Sequence, residues 1–376
     1  MKCPRCNNEI NDYFYLGSKG YYCRKCISFK RRLITDSLKN NVYEITSGSE
    51  ELFLNYELSE KQKIISEKCA YYVENNDVLL HCVCGAGKTE IVLESIAQAL
   101  KKHKNVCYAI SRRQVVLEIG ERLSEIFSKA KVVSVCGGHT SDIYGDIIVC
   151  TTHQLYRYER MFDLMILDEC DAFPYKGNEV LQNIVKNSVR GHIIYSTATI
   201  DEYLTLKLDD GLIQLKLDKR YHGYDLPVPK IILGPKFYLL IKLFKFVKNN
   251  NNPVLVFVPS KLICENYYKI FSRIINCEMI TSLSMNKENI IKRFRDKEVN
   301  LIFATTILER GVTFEGVDVV VMYAESAIYD LASLIQMSGR VGRKISKPNG
   351  DVLFLQNSYS LKSIDCIKEI KRANAS

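Results

Sequence analysis

A short apolar run enters a glycine-rich segment, Leu79-Leu80-His81-Cys82-Val83-Cys84-Gly85-Ala86-Gly87-Lys88-Thr89-Glu90. Glycines let backbone N–H groups curl around an anion, and a helix that follows points its dipole at the same place. Lys88 would then reach the β- and γ-phosphates of a nucleotide, and the Thr89 hydroxyl would ligate Mg²⁺. The strand-like run before the glycines and the helical pattern after them favour a phosphate-binding loop over a chance Gly-Lys-Thr turn.

Two carboxylates follow another apolar run further along the chain. Leu164–Leu167 leads into Asp168-Glu169-Cys170-Asp171. Asp168 at a strand end is suited to hold Mg²⁺, and Glu169 to orient and deprotonate an attacking water. The alternative is an acidic loop that caps a strand, and the phosphate loop upstream favours the catalytic interpretation. Ser196-Thr197-Ala198-Thr199 offers hydroxyls to the same carboxylates, with turn capping as the competing explanation.

The N-terminus carries two Cys-x₂-Cys pairs, Cys3-Pro4-Arg5-Cys6 and Cys23-Arg24-Lys25-Cys26. Each pair forms a tight turn that aims two thiolates at one point, and two such turns predict a tetrahedral Zn²⁺ site. The segment between them is too small to bury a core, so we expect its folding to depend on the metal. Redox-active thiols are the alternative. Four cysteine ligands leave no open coordination position for catalysis. The basic side chains of this segment fit nucleic-acid contact and a solvated charged surface equally well.

Strands and helices alternate after the phosphate loop. Short runs rich in valine and isoleucine, separated by helical segments, predict a parallel sheet that is covered on both faces. The predicted strands of the first series are Val106–Ile110, Val132–Cys136, Ile147–Cys150, Leu164–Leu167 and His192–Tyr195. A second series consists of a helix at Phe237–Val247 and strands at Val254–Val258, Leu301–Ala304, Val319–Tyr323 and Val352–Leu355. The segment 219–229, with two prolines and no apolar period, is predicted to be the hinge between two lobes.

The second series has no phosphate loop of its own. It contains Glu309-Arg310-Gly311-Val312 and Gln336-Met337-Ser338-Gly339-Arg340-Val341-Gly342-Arg343. Arg340 and Arg343, three apart at the start of a helix, would share one face and reach a phosphate across a cleft as arginine fingers. As an isolated match, Gly-Arg-x-Gly-Arg fits a phosphate-binding turn or a solvated basic face equally well.

A glutamine near the start of a helix completes the predicted nucleotide site. Ser59 is predicted to be the N-cap of an amphipathic helix, and Gln62 follows one turn later. Its amide could read the edge of adenine, with an exposed surface glutamine as the alternative. The predicted nucleotide-binding residues are Gln62, Gly85, Ala86, Gly87, Lys88, Thr89, Glu90 and Gly311.

Four loops with basic, hydroxyl or imidazole side chains follow strands of the two predicted sheets. In parallel sheets, functional residues lie just past the carboxyl ends of the strands. Such loops can hold the phosphates of a nucleic-acid strand largely without reading its sequence. The candidates are Arg112, Arg113, Thr152, His153, Ser260, Lys261, Thr305 and Thr306. Taken alone, each fits an ordinary solvated loop equally well, and their shared edge favours the nucleic-acid interpretation.

The length, composition and net charge of the chain limit the class of protein. A chain of 376 residues, 47% of them hydrophobic, is long enough for two or three domains, each with its own core. A net charge of +9 favours a polyanionic partner. The sequence Met1-Lys2-Cys3-Pro4-Arg5 is not typical of a secretory leader, and no long uncharged apolar run predicts a membrane span. The fourteen cysteines are therefore expected to be mostly free thiols in a reducing cytoplasm.

In sequence order, these segments resemble the motif series of superfamily 2 helicases over about residues 50–350. Within that group the chain resembles the ComFA family, late-competence ATPases of transformable Gram-positive bacteria, and resembles the primosomal helicase PriA less closely. Three segments carry the resemblance: 83–90, 168–175 and 336–343. It implies an α/β fold of two tandem RecA-like parallel-sheet lobes with a small N-terminal four-cysteine zinc module. The corresponding domains are 1–45, 46–218 and 219–376.

The resemblance also implies a function. It implies a DNA-stimulated ATPase that uses ATP and Mg²⁺, carries Zn²⁺, translocates on single-stranded DNA and helps import transforming DNA during natural competence. The implied partners are single-stranded DNA, the ComEC channel, ComFC and DprA, at the inner face of the cell membrane, and a homo-oligomer is left open. The alternatives are a DEAD-box-like RNA helicase, a primosome-type DNA helicase, and a non-enzymatic zinc-ribbon adaptor that nucleotide binding switches.

Overall fold

A computed structural model describes residues 1–45, 52, 54, 56–309 and 314–375. The chain divides into two compact units. The first comprises Met1–Cys82 and Gly87–Leu217, and the second comprises Val83–Ala86 and Asp218–Ser376. Each unit is described by itself below.

The first unit contains a parallel sheet with helices between its strands. Its strands are β1 (Phe14–Gly17), β2 (Gly20–Cys23), β3 (Val78–Cys82), β4 (Val106–Ile110), β5 (Val132–Val135), β6 (Ile147–Thr151), β7 (Phe162–Asp168), β8 (Val189–Thr197) and β9 (Ile213–Leu217). Its helices are α1 (Glu60–Tyr72), α2 (Lys88–Lys101), α3 (Arg113–Ile126), α4 (Glu179–Ser188) and α5 (Glu202–Asp209). Strands β3 to β9 form one sheet in the order β5-β6-β4-β7-β8-β3-β9, with every pairing parallel.

The central strands of this sheet are buried along their whole length. All five residues of β4 and all five of β6 are buried, as a sheet covered on both faces requires. Leu79, Cys107, Ile148, Met165 and their neighbours form one apolar core on these strands. Every strand of this sheet therefore has its carboxyl end at the same edge, which positions the residues that follow β3, β4, β6, β7 and β8.

The second unit repeats this architecture. Its strands are β10 (Lys230–Leu233), β11 (Val254–Phe257), β12 (Cys277–Ile280), β13 (Leu301–Ala304), β14 (Asp318–Met322) and β15 (Val352–Gln356). Its helices are α6 (Lys236–Asn249), α7 (Lys261–Phe271), α8 (Lys287–Arg295), α9 (Leu331–Ser338) and α10 (Leu361–Ala375). The sheet order is β10-β15-β14-β11-β13-β12, again with parallel pairings. Apolar clusters cover both of its faces.

The predicted α/β class with two parallel-sheet lobes is confirmed. The strands predicted from valine- and isoleucine-rich runs are present to within a few residues, and helix α6 covers the predicted Phe237–Val247. Strands β9, β10 and β12 were not predicted, because their short runs mix apolar with charged or polar residues and all three are edge strands. The segment 219–229 contains no helix or strand.

One local prediction was wrong. Arg340 and Arg343 do not lie at the start of a helix, because α9 is already complete at Ser338 and Gly339 is its C-cap. Asp330 is the N-cap of that helix, and its carboxylate accepts a 2.8 Å hydrogen bond from the backbone N–H of Ser333. The two arginines therefore lie in the turn that follows α9.

Residues 1–45, called the zinc module below, belong to the first unit. Strands β1 and β2 form its antiparallel hairpin. The module is held on α4 by two asparagines. The amide of Asn183 donates a 3.0 Å hydrogen bond to the carbonyl of Cys6, and the amide of Asn187 donates to the carbonyls of Pro4 (3.0 Å) and Arg5 (2.9 Å). Arg32 pairs with Glu159 at a second, largely buried contact.

Candidate functional site

The glycine-rich segment has the backbone of an anion-binding loop. It joins the end of β3 to α2, which begins at Lys88. Gly85 and Gly87 have φ values of +84° and +79°, a left-handed conformation that residues with a Cβ rarely adopt. Gly87 is the N-cap of α2, so Lys88 and Thr89 occupy the first helical turn, where backbone N–H groups are free of intrahelical partners. The loop therefore directs donors and a helix dipole to one point.

Gln62 lies beside this loop. A Cβ at Gly87 would collide with the Gln62 side-chain amide nitrogen, so the two residues are in contact. The residue is only 3% exposed, which excludes the alternative of a surface glutamine. Its side-chain oxygen accepts a 3.0 Å hydrogen bond from the backbone N–H of Ser59, and its own backbone N–H donates to the Ser59 hydroxyl. This capping box confirms Ser59 as the N-cap and fixes the glutamine amide next to the phosphate loop.

The acidic residues at the end of β7 form a buried hydrogen-bonded network. Asp168 is 7% exposed. Its Oδ2 accepts a 2.9 Å hydrogen bond from the hydroxyl of Tyr108, and its Oδ1 accepts a 2.8 Å bond from the hydroxyl of Ser196. Burial, and then the charge of Asp168, raises the pKa of Tyr108 well above its ordinary value, so this hydroxyl remains a donor. The Tyr108 hydroxyl also interacts with the Thr89 side chain, which brings the two predicted magnesium ligands to one place.

The neighbouring residues extend this network. Glu169 has a φ of +53°, a left-handed backbone that costs about 1–3 kcal/mol in a residue other than glycine and is typical of functional sites. The hydroxyl of Thr199 donates a 2.6 Å hydrogen bond to Asp171. Thr197 instead bonds the backbone of Thr199 through its hydroxyl. Both interpretations of the Ser-Thr-Ala-Thr segment therefore apply, since two hydroxyls bind the carboxylates and one stabilises the turn.

Glu90 belongs to a smaller cluster on α2. Its carboxylate accepts a 2.7 Å hydrogen bond from Arg122, which also contacts the hydroxyl of Tyr56 at 2.7 Å. Both side chains of this ion pair are partly exposed, and the guanidinium of Arg122 joins α3 to Glu90 of α2. Glu90 therefore positions the first turn of α2 through an ion pair.

In the second unit, the turn after α9 is supported from within. Arg340 is 1% exposed, and its Nε donates a 3.0 Å hydrogen bond to the carbonyl of Glu309. The Nε of Arg343 donates to the carbonyl of Gly339, also at 3.0 Å. Arg220 donates to the carbonyls of Gly339 (3.2 Å), Val341 (2.8 Å) and Gly342 (2.6 Å), and burial lowers its pKa to about 10. The predicted Gly311, with Arg310 and Val312, lies outside the described residues.

The predicted nucleic-acid residues occur in two pairs of loops on adjacent strands. In the first unit, Arg112 and Arg113 follow β4, and Thr152 and His153 follow β6, the strand that pairs with β4. Thr152 is buried, whereas the ring of His153 stacks on Phe29 of the zinc module at a centroid distance of 5.9 Å. Partial burial lowers the pKa of His153. The module thus contacts the rest of the first unit at the loop after β6.

The second unit has the corresponding arrangement. Ser260 and Lys261 follow β11, and Thr305 and Thr306 follow β13, which pairs with β11. Ser260 is the N-cap of α7, and its hydroxyl accepts a 3.2 Å hydrogen bond from the backbone N–H of Ile263. Ser260 and Lys261 are both exposed at this edge of the sheet. A phosphate would therefore meet the N-terminus of α7 together with a lysine.

The four N-terminal cysteines form one buried cluster. Their sulfur atoms all lie within 4.8 Å of one another, with Cys3 and Cys26 at 3.7 Å and Cys6 and Cys23 at 3.8 Å. A tetrahedral zinc with bonds of about 2.3 Å separates its sulfur ligands by roughly 3.8 Å, so the four residues fit this metal. None of the fourteen cysteines, all of which lie in the described residues, forms a disulfide.

Sequence reasoning did not find four residues that contribute to these sites. Tyr108 lies inside an apolar run that predicts a buried strand. A buried tyrosine hydroxyl usually has a hydrogen-bond partner, and this was the available signal. Arg220 lies in the predicted hinge, and no motif around it in the sequence indicates a role for its side chain. Asn183 and Asn187 are spaced four apart on one face of α4, but nothing in the sequence indicates that this face receives the zinc module.

Comparison with known proteins gives the family. Residues 55–202 match the family model described as type III restriction enzyme, res subunit, and residues 235–344 match that of the helicase conserved C-terminal domain. The chain is 35% identical to the competence protein ComFA of Streptococcus pneumoniae, over 99% of this chain and 90% of that protein. It is 31% identical to the competence protein ComFA of Bacillus subtilis, over 99% of this chain and 85% of that protein.

Solved structures agree on the fold. Dbp5 of S. cerevisiae bound to RNA and ADP BeF3 has a TM-score of 0.62 at 16% identity, covering 84% of this chain and 92% of that one. The helicase Lhr of Mycobacterium smegmatis, bound to ssDNA and AMP-PNP, has a TM-score of 0.59 at 15% identity and covers 85% of this chain and 50% of that one. Among the described residues, no helix is both long and apolar enough to span a membrane. The chain belongs to the ComFA family, and is a competence-related helicase-like enzyme of superfamily 2 that depends on ATP.

Proposed function

We propose that this protein hydrolyses ATP in response to single-stranded DNA and uses the energy to move along that strand, drawing transforming DNA into the cytoplasm during natural competence. The single observation that carries the proposal is the buried network around Asp168. There a carboxylate is held by Tyr108 and Ser196, and Tyr108 also meets Thr89 of the phosphate loop. Such a network holds a metal-binding carboxylate and a loop hydroxyl in a fixed relation before nucleotide binds.

Each residue has a role in the proposed reaction. The loop from Gly85 to Thr89 would hold the phosphates, and Thr89 and Asp168 would hold Mg²⁺, which neutralises charge on the phosphates when bound. Glu169 would orient the attacking water and take up its proton. Arg340 and Arg343 would stabilise negative charge on the phosphates once the two units close, and Gln62 would contact the base. Gly311 is proposed for the same nucleotide site.

DNA binding is proposed at the loop edges of the two sheets. The observation that supports this proposal is that the loops follow paired strands, β4 with β6 and β11 with β13. The backbone of a strand could follow such an edge, held by basic side chains and helix N-termini and largely independent of base sequence. The family resemblance further suggests the ComEC channel, ComFC and DprA as partners, at the inner face of the cell membrane. The domain limits 1–45, 46–218 and 219–376 remain part of this proposal.

The decisive experiment compares ATP hydrolysis with single-stranded DNA, duplex DNA, RNA and no nucleic acid. We expect the largest stimulation with single-stranded DNA, together with ATP-dependent displacement of a protein roadblock from the strand. Stronger stimulation by RNA would favour an RNA helicase instead, and strand separation of forked duplexes would favour a primosome-type helicase. Nucleotide binding without any hydrolysis would favour a switched adaptor.

A further inference from the structure

The β1–β2 hairpin of the zinc module has two different faces. Its register pairs Tyr15 with Tyr22 and Leu16 with Tyr21, and successive residues of a strand point to opposite sides. Leu16 and Tyr21 share their side with the buried pair Phe14 and Cys23. Tyr15 and Tyr22 lie on the other side, which is called the tyrosine face below.

Cationic side chains lie over the rings of the tyrosine face. The guanidinium of Arg24 is 4.5 Å from the centre of the Tyr15 ring, and that of Arg31 is 4.4 Å from the centre of the Tyr22 ring. Both distances are within the range of cation–π interaction. Gly17 makes room for Arg31, because a Cβ at Gly17 would collide with that guanidinium. The face therefore presents flat aromatic and guanidinium groups that hold one another in place.

The tyrosine face is accessible and lies in a basic segment. Tyr15 is 49% exposed, and Arg24 and Arg31 are both exposed. Residues 1–45 contain nine lysines and arginines but four acidic residues. Grouped exposed aromatic rings mark interaction surfaces, and the surrounding positive charge favours a polyanionic partner. Stacking of bases on aromatic rings and guanidinium planes is the ordinary way in which proteins bind unpaired strands.

The position of the module supports the same occupant. Lys25 forms a 2.9 Å ion pair with Glu179, the first residue of α4, and lies 6.0 Å from the ring of Tyr13. Phe29 stacks on His153 in the loop after β6. The module thus contacts the loop after β6, and β6 pairs with β4, the strand that is followed by Arg112 and Arg113.

We propose that the tyrosine face of the zinc module is a base-stacking platform for single-stranded DNA, with Tyr15 and Tyr22 receiving bases and Arg24 and Arg31 adding stacking surface and charge. This inference rests on the proposed function, since it takes single-stranded DNA as the ligand. The platform would contact the bases, whereas the sheet edges would contact the phosphates. Stacking on bases holds a strand irrespective of its sequence.

A tryptophan reporter tests the platform directly. The chain contains no tryptophan, so Tyr15→Trp in the full-length zinc-loaded protein places a single tryptophan, which can be excited apart from the tyrosines, on the tyrosine face. We expect oligo(dT) to quench this fluorescence to saturation, in parallel with binding followed by anisotropy of the labelled strand. The matched control is Tyr21→Trp, since Tyr21 is similarly exposed (45%) on the other face of the same hairpin. We expect little quenching there. Saturating binding without quenching at position 15 would overturn the inference.

Two further measurements make the test specific for bases. Tyr15→Ala is expected to weaken oligo(dT) binding by about 10-fold or more, whereas Tyr15→Phe, which keeps the ring, is expected to bind within about 2-fold of the unaltered protein. A strand of abasic residues, which has the phosphates alone, should not quench the Tyr15→Trp protein. Equal quenching by that strand, or unchanged affinity of Tyr15→Ala, would refute base stacking.

The outcomes also separate this inference from the proposed function. If the unaltered protein binds no single-stranded DNA and shows no stimulated hydrolysis, the proposed function fails and the platform fails with it. If it binds and is stimulated while the Tyr15 variants behave like the Tyr21 controls, only the platform is wrong. One zinc per chain in each variant verifies that the module is folded.

Discussion

The hydroxyl of Tyr108 on β4 donates a 2.9 Å hydrogen bond to Oδ2 of Asp168 at the end of the neighbouring strand β7. The same hydroxyl meets Thr89 in the first turn of α2. One buried phenol therefore connects the phosphate loop to the acidic residue that is proposed to share a metal ion with it. Because the phenol is enclosed and its pKa is raised, it holds this geometry without competing for the metal.

Replacing Tyr108 with phenylalanine should impair hydrolysis more than folding. The substitution removes one donor to Asp168, and loss of such an outer partner of a metal ligand typically costs about 10–100-fold in activity or metal affinity. We expect a rise in the Mg²⁺ concentration needed for half-maximal ATP hydrolysis, with a loss of about 1–3 kcal/mol in stability. The control is Tyr158→Phe, which also removes a buried hydroxyl bond, here to the carbonyl of Ile143. Equal Mg²⁺ dependence in both variants would contradict this role.

Lys88→Ala and Glu169→Gln should each abolish hydrolysis while single-stranded DNA binding persists. Lys88 would contact the phosphates of ATP and the Glu169 carboxylate would act on the attacking water, so neither side chain is needed to hold the DNA strand. Glu169→Gln should still bind nucleotide, because the amide retains the shape of the side chain but cannot accept the proton. Steady-state hydrolysis and anisotropy of a labelled oligonucleotide measure the two properties separately. The exposed residues Lys186 and Glu202 provide matched controls as Lys186→Ala and Glu202→Gln. Normal turnover in either site variant would refute the assignment.

The features that the sequence predicted are those with a local signal. Buried parallel strands are runs of valine and isoleucine, and a phosphate loop is a fixed spacing of glycine and lysine, so both are visible in a few consecutive residues. The bond between Tyr108 and Asp168 is not local. It depends on which strands are neighbours and on a register that pairs Tyr108 with Ile166. Nothing within either segment specifies that pairing.

The misplaced arginines have a different cause. Arg340 and Arg343 were predicted at the start of a helix, whereas the glycine before Arg340 favours the end of one, because glycine is far more frequent at helix ends. Asp330, an N-cap residue located nine positions before Gly339, marks the true start of α9. In the turn after α9, the two guanidinium groups donate to different acceptors. Arg340 donates to the carbonyl of Glu309, and Arg343 donates to the carbonyl of Gly339.

Arg220 should be required for the shape of that turn. Its guanidinium donates to the carbonyls of Gly339, Val341 and Gly342, a set that the single ammonium group of lysine cannot satisfy in the same geometry. We expect Arg220→Lys to cost about 1.5–3 kcal/mol for each unreplaced bond and to lower kcat through Arg340 and Arg343. Urea unfolding and ATPase kinetics measure the two effects. Arg273→Lys, an exposed arginine of the second unit, is the control. Unfolding midpoints that coincide for the two variants would show that the turn does not depend on these bonds.

The zinc module should detach from α4 without losing its metal when Asn183 and Asn187 are both replaced by alanine. Their amides bond the carbonyls of Cys6, Pro4 and Arg5, but none of the four cysteines is altered. Each lost bond weakens docking by about 1 kcal/mol. We expect one zinc per chain, faster tryptic cleavage between Lys30 and Lys39, and weaker stimulation by single-stranded DNA.

Two comparisons distinguish loss of docking from loss of zinc. Cys3→Ser removes a zinc ligand, so it should lower both the bound zinc and the affinity for DNA. Nucleotide binding should persist, because the module is not part of the phosphate loop. Asn249→Ala, at the exposed end of α6, removes an asparagine that has no part in docking and should digest like the unaltered protein. Metal analysis and timed proteolysis of all three variants test the point. Unchanged cleavage of the Asn183/Asn187 double variant would mean that the remaining contacts, such as the pairs Arg32–Glu159 and Lys25–Glu179, are sufficient to hold the module.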